Sequence, residues 1–175
     1  TKAATNDAID VEQGLGFKMI DYVELEIGGQ CIDKHYGEWM QMWTELTHGV
    51  DKLSMLNTLV QNSIHTGATL SKTHKLFIPL QFWFCRNPGL ALPLIALQYH
   101  EVKLNVQFKP ASHVVSLFSG TNNAANGASI TNLCVFCDYV FLDTDERRRF
   151  AQVSHEYLID QVQYSNAVNG GSGTT

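Results

Sequence analysis

Charge is scarce in this sequence. Of its 175 residues 17% are Asp, Glu, Lys or Arg, against 45% that are hydrophobic. An average soluble domain is about 25% charged, so the shortfall suggests a surface partly covered by partner subunits. Basic charge is scarcer still: 12 Lys and Arg face 17 Asp and Glu, for a net charge of -5. Proteins that track phosphates concentrate basic charge on one face. The single basic run here, Arg147-Arg148-Arg149, follows Asp143, Asp145 and Glu146. It reads as the end of a short solvated helix. No apolar run reaches the roughly 18 residues that a membrane span requires. A signal-peptide pattern and an initiator Met are both missing, and the abrupt start at Thr1 leads us to expect that a longer protein begins upstream. There is no Asn-x-Ser/Thr sequon, so ordinary N-glycosylation is not expected.

Catalytic patterns are missing as well. The sequence contains no GxSxG, Walker A or GxGxxG motif. The seven histidines, His35, His48, His65, His74, His100, His113 and His155, form neither HxH nor HExxH. His100 sits within an apolar alternation and is expected to be a hydrogen-bonded core residue. Cys134-Val135-Phe136-Cys137 is a CxxC, but redox CxxC motifs open helices, whereas this one lies in an apolar strand pattern. Residues three apart on a strand face opposite ways, and no second CxxC or His pair completes a zinc set. With Cys31 and Cys85 the chain has four cysteines, read as reduced and buried thiols. No catalytic, cofactor-binding or metal-binding residue is assigned, no cofactor is implied, and the interface residues are unknown at this level.

What is present is alternation. Val23, Leu25 and Ile27 fall on one side of residues 20–27, with Tyr22, Glu24 and Glu26 on the other, which is a half-buried strand. Gly28-Gly29 suits a tight hairpin turn, with Gln30–His35 returning as the partner. Over Gly37–His48 the period changes: Trp39, Met42, Trp43 and Leu46 mark one face of a helix. Val50, Leu53, Leu56 and Leu59/Val60 repeat that spacing after Gly49. Lys75–Phe84 reads as a strand, with Pro79 favouring an edge, and Asn87-Pro88-Gly89 as a turn. Leu90–Leu97 reads as one helical turn. His100, Val102, Leu104, Val106 and Phe108 alternate with polar residues up to Pro110. Residues 1–18, 61–74 and 111–129 read as loops, 130–142 and Tyr157–Tyr164 as further strands. Asp143 caps a helix reaching about Gln152, with Glu146 three residues on. Six or seven strands without βαβ alternation point to an all-β fold, an antiparallel two-sheet sandwich with short helices in its connections.

Three stretches carry a closer resemblance: Ile27–Trp39 (IGGQCIDKHYGEW), Leu80–Val102 (LQFWFCRNPGLALPLIALQYHEV) and Tyr139–Phe150 (YVFLDTDERRRF). Together they closely resemble the first jelly roll of the major capsid proteins of nucleocytoplasmic large DNA viruses, such as iridoviruses and phycodnaviruses, over roughly residues 19 to 165. The resemblance implies a structural protein and not an enzyme. It implies one half of a double jelly roll, with residues 1–165 as the N-terminal jelly roll short of its opening strands. Residues 166–175 would then be a linker toward a second jelly roll. It further implies homotrimers of pseudo-hexagonal outline that meet neighbouring capsomers and minor capsid proteins in an icosahedral shell. The expected location is the virion, assembled in host cytoplasm, near an internal membrane but not inserted in it, with no direct nucleic-acid binding. Two alternatives stay open: a minor capsid or scaffold jelly-roll protein of the same viruses, and a glycan-binding sandwich using Trp39, Trp43 or Trp83. Arg86, between Phe84 and the Asn87-Pro88-Gly89 turn, is expected to make a buried or interfacial polar contact.

Overall fold

The computed structural model describes residues 9–11, 14–60, 75–110, 115–117 and 130–165. Its centre is a three-stranded antiparallel sheet. Strand β2 (Ile20–Ile27) lies between β3 (Gln30–Tyr36) and β4 (Val102–Phe108). A separate pair joins β1 (Ile9–Val11) to β5 (Val115–Leu117), also antiparallel. Both members of that pair fall where the sequence reads as loop, and three-residue strands are too short to show a period.

The β2–β3 hairpin turns at Gly28 and Gly29, with φ of 60° and 84°, a left-handed pair that glycine adopts without a Cβ clash. Register places Val23 opposite His35 and Val106, and Leu25 opposite Asp33 and Leu104. Val23, Leu25, Asp33 and His35 are all buried, while Val102, Leu104, Val106 and Phe108 are half-buried. The opposite face is polar: Lys34 lies 3.5 Å from the Tyr22 ring centroid and 3.7 Å from Glu24, and Asn105 donates to Glu26 at 3.3 Å. Two irregularities keep the apolar residues on one side. One skips Asp21 between Ile20 and Tyr22, so that Ile20 stays buried; the other leaves Ile32 without a partner on β2. Such extra residues shift the pleat by one position.

Helices and irregular chain cover the apolar face. After the short α1 (Leu15–Lys18), helix α2 (Gly37–Thr47) follows β3 directly and α3 (Val50–Leu59) follows α2. The core joins Phe17, Ile20, Val23, Leu25, Met40, Leu56, Val60, Phe82 and Trp83. Fully burying such side chains is worth about 1.5–3 kcal/mol each. Helix α2 turns a different face inward from the one its spacing suggests. Met40 and Thr44 are buried, Trp39 and Trp43 half-buried, and Met42 and Leu46 exposed. Thr44 can sit there because its hydroxyl donates to the Met40 carbonyl at 2.7 Å.

Three expected strands are not formed among the described residues. Residues 75–82 are extended but unpaired, and the chain then makes the helical turn α4 (Trp83–Arg86). Gln81, Phe82 and Trp83 are consecutively buried, which one-sided strand alternation does not allow. Residues 130–142 and 157–164 are likewise unpaired; apolar alternation makes a strand only when a neighbour supplies the ladder. The Asn87 turn is present as a 3-10 turn, Pro88–Leu90, closed by Gly89 N–H donating to Asn87 Oδ1 at 2.9 Å. Residues 93–97 make a single hydrogen-bonded turn, with the Leu97 and Ala96 N–H groups both donating to the Pro93 carbonyl, as the one helical turn expected there. Helix α5 (Thr144–Gln152) starts as expected, with Asp143 Oδ1 accepting from Thr144 N–H at 2.7 Å.

Gly37 joins β3 to α2 at a point where a Cβ would strike the carbonyl oxygens of Phe17 and Ile20. Both are backbone atoms, which cannot swing aside. Gly37→Ala is therefore expected to destabilise the chain by about 2–3 kcal/mol, measured as a lower urea midpoint with unchanged slope.

Candidate functional site

The most constrained polar group is a carboxylate–imidazole pair that the sequence does not advertise. Asp33 and His35 alternate on β3, so both point to the core, and each side chain is 1% exposed. His35 Nε2–H donates to Asp33 Oδ2 at 2.7 Å. The imidazole lies between two aromatic rings, with centroids 4.3 Å from Trp39 and 4.3 Å from Phe82. Its Nδ1 is buried without a hydrogen-bond partner. An unmatched lone pair there is cheaper than an unmatched N–H, so the proton is assigned to Nε2. Asp33 Oδ1 accepts from two backbone N–H groups, Lys34 at 2.9 Å and Val162 at 3.0 Å. Burial by itself would push the Asp33 carboxyl up. The hydrogen bonds from His35, the Val162 N–H and the Lys34 N–H together outweigh burial and hold it below the ordinary aspartate value.

This arrangement is structural. The imidazole has no open face, and no nucleophile touches it. Among the described residues no group of three or more His, Cys, Asp or Glu could hold a metal ion, and no helix is long and apolar enough to cross a membrane. All four cysteines are free, and all are exposed rather than buried. The Cys134/Cys137 pair lies on residues 130–142, which carry no regular strand pairing among the described residues. Desolvation pushes the Cys85 thiol up, and charge repulsion from Cys137 adds to the effect, the opposite of redox activation. His100 is also exposed, in the bend before β4, where its ring meets the Gly28 turn; the apolar alternation of β4 begins only at Val102.

Arg86 makes a polar contact, but an open one near the surface and not the buried one expected. Its guanidinium carbon lies 4.9 Å from the Trp43 ring centroid, and one nitrogen is 3.6 Å from Asp160 Oδ2. A shallow groove of about 630 Å³ opens beside it, lined by Trp43, His48, Asp51, Lys52 and Gln81 among others. Trp83 is buried, and Trp39 and Trp43 are half-buried against His35 and Arg86.

The surface carries the stronger functional signal. Phe136 is 82% exposed, Phe141 92% and Leu158 90%, with Leu133, Val135, Tyr139 and Val140 exposed beside them in sequence. On α2 and α3, Leu46, Val50 and Met55 are exposed too. Exposed large apolar residues, when they gather on one surface, mark sites that meet a partner. The sequence model for the N-terminus of the major capsid protein matches residues 1–143. The chain belongs to the major capsid protein family. Among its capsid relatives, the major capsid protein of Pyramimonas orientalis virus is 53% identical over 163 residues, covering 90% of this chain and 39% of its own length. That of Paramecium bursaria Chlorella virus 1 is 43% identical over 153 residues, covering 86% and 33%. A quasi-atomic model of the PBCV-1 virus capsid superposes with a TM-score of 0.69 at 36% identity, covering 93% of this chain and 42% of its counterpart. The chain thus spans about two-fifths or less of the length of these relatives. The family is structural and not enzymatic, in keeping with the surface and the sealed imidazole.

Two outcomes follow. The Arg86–Asp160 pair is mostly solvent-facing, with Asp160 83% exposed. Arg86→Ala should therefore lower stability by only about 0.5–1 kcal/mol, through the ring contact as much as the ion pair, seen as a small drop in Tm. Asp33 has a depressed folded-state value, so its contribution is complete above the ordinary aspartate range near pH ~4. It is lost as pH falls through the folded value. Urea midpoints measured down a pH series should decline over that acid window, and the decline should be shallower in Asp33→Asn.

Proposed function

We propose that this chain is the N-terminal jelly-roll module of a structural capsid protein, and that the whole protein forms trimeric, pseudo-hexagonal capsomers in the icosahedral shell of a large DNA virus. The observation that carries the reading is family membership joined to the exposed aromatic and aliphatic residues of 130–142 and the α2–α3 face. A shell protein hides such residues against its own further strands, its second jelly roll and its neighbours. Obligate interfaces have this apolar character, whereas transient ones resemble ordinary surface. In this reading the three-stranded sheet is part of one wall of the sandwich. Residues 130–142, which alternate in sequence, become a strand once a neighbour offers a ladder. Neighbouring capsomers and minor capsid proteins are the partners, the virion is the location, and assembly takes place in host cytoplasm. The half-buried or buried state of all three tryptophans leaves no exposed indole platform for sugars, which weighs against the glycan-binding alternative.

Light scattering after size exclusion, on the whole capsid protein, tests the proposal. A mass of three chains is the expected result. A monomer that persists at high concentration would overturn it.

A further inference from the structure

Residues Ile159–Tyr164 lie along the outer side of β3, the edge strand of the main sheet. The contacts advance in step. Gln161 Nε2 donates to the carbonyl of Ile32, the residue without a partner on β2. Val162 N–H donates to Asp33 Oδ1, and the Tyr164 ring lies 4.5 Å from the Tyr36 ring. Partners 161, 162 and 164 match 32, 33 and 36, so the segment runs parallel to β3. Yet it forms no ladder: neither the segment nor β3 contributes a regular backbone-to-backbone pairing there. Its one backbone donor on β3 goes to a side chain, and that side chain is the buried Asp33.

We propose that Ile159–Tyr164 is a detachable strap over the β3 edge, that Asp33 is its catch, and that acid releases it while the β2–β3 hairpin stays folded. A ladder holds a strand through many equivalent bonds; this segment hangs on few. A carboxylate accepts both N–H bonds strongly because it is charged. Protonation weakens its acceptor oxygens and frees Val162. The hairpin has its own ladder from Tyr22 to Ile27 and does not need the catch.

Few titratable or charged groups face Asp33. From β3, His35 bonds to it directly, Lys34 projects to the other face toward Tyr22 and Glu24, and Cys31 is exposed. From β2, the residue opposite is Leu25. From the strap, Asp160 pairs with Arg86 of α4. From α2, Trp39 stacks on His35, and Glu38 is engaged by Lys109. Release leaves β3 with a bare edge, the kind of surface onto which another strand adds. The inference does not depend on the capsid reading.

Hydrogen–deuterium exchange of the chain, followed by mass spectrometry, tests it. In Asp33→Ala at neutral pH, exchange in peptides spanning 159–164 should rise about tenfold, the scale of one lost bond to a charged group, with peptides spanning 22–36 unchanged. Equal protection of 159–164 in variant and wild type would overturn the proposal. Should Asp33→Ala fail to fold, an acid series on the wild type decides. After correction for intrinsic rates, 159–164 should lose protection at a higher pH than 22–36; simultaneous loss would overturn it.

Discussion

A carboxylate taken out of water must be matched bond for bond, and the Asp33–His35 pair is where this chain meets that constraint. The match recruits four parts of the sequence. β3 supplies both side chains and the Lys34 N–H, α2 and the segment before α4 supply the flanking rings of Trp39 and Phe82, and Val162 adds a third hydrogen bond to the carboxylate. Buried pairs of this kind add little net stability over an apolar substitute, but breaking one costs several kcal/mol. Their effect is to forbid alternatives. A one-residue slip of β3 would put the carboxylate on the polar face and leave the rings without a partner.

Around that pair the chain is half of an object. One face of the sheet is finished, covered by α2, α3 and the apolar stretch from Ile78 to Leu92. The rest is prepared for contacts that these residues do not make among themselves. Phe136, Phe141 and Leu158 are of the type that fills cores, and all three face solvent. The low charge of the sequence goes with the same exposed apolar character.

Local chemistry was legible in the sequence, and partnership was not. The hairpin was readable because Gly28-Gly29 needs positive φ and because Val23, Leu25 and Ile27 alternate without a gap. The start of α5 was readable because Asp143 is a cap. Helix α2 was located but misoriented: Trp39, Met42, Trp43 and Leu46 fit one face, while the buried side belongs to Met40 and Thr44, and a threonine that satisfies its own hydroxyl gives no apolar signal. Residues 75–84 carried two readings, since a short apolar run suits either a strand or a buried irregular segment. Residues 130–142 and 157–164 alternate as strands do, but pairing depends on a neighbour that no local pattern reveals. The family resemblance, resting on Ile27–Trp39, Leu80–Val102 and Tyr139–Phe150, was a stronger guide to function than any of these. The Asp33–His35 pair was hidden because nothing in IDKHY marks its polar residues as the buried ones.

The strand order has a consequence in time. The middle strand β2 meets β3 across a two-residue turn, but its other neighbour starts at Val102, and Ile20 finds Phe108 only after both helices and the apolar stretch have been made. A ribosome adding about 5–20 residues per second takes roughly 4 to 16 s to bridge that interval. Throughout it, the nascent hairpin holds one row of β2 amides and carbonyls facing water. The later strand must then find a doorway whose frame was built seconds earlier, and the loop closure it completes is long and slow. Where many copies emerge together, that open seam in each young chain is the place where two of them are most apt to join wrongly.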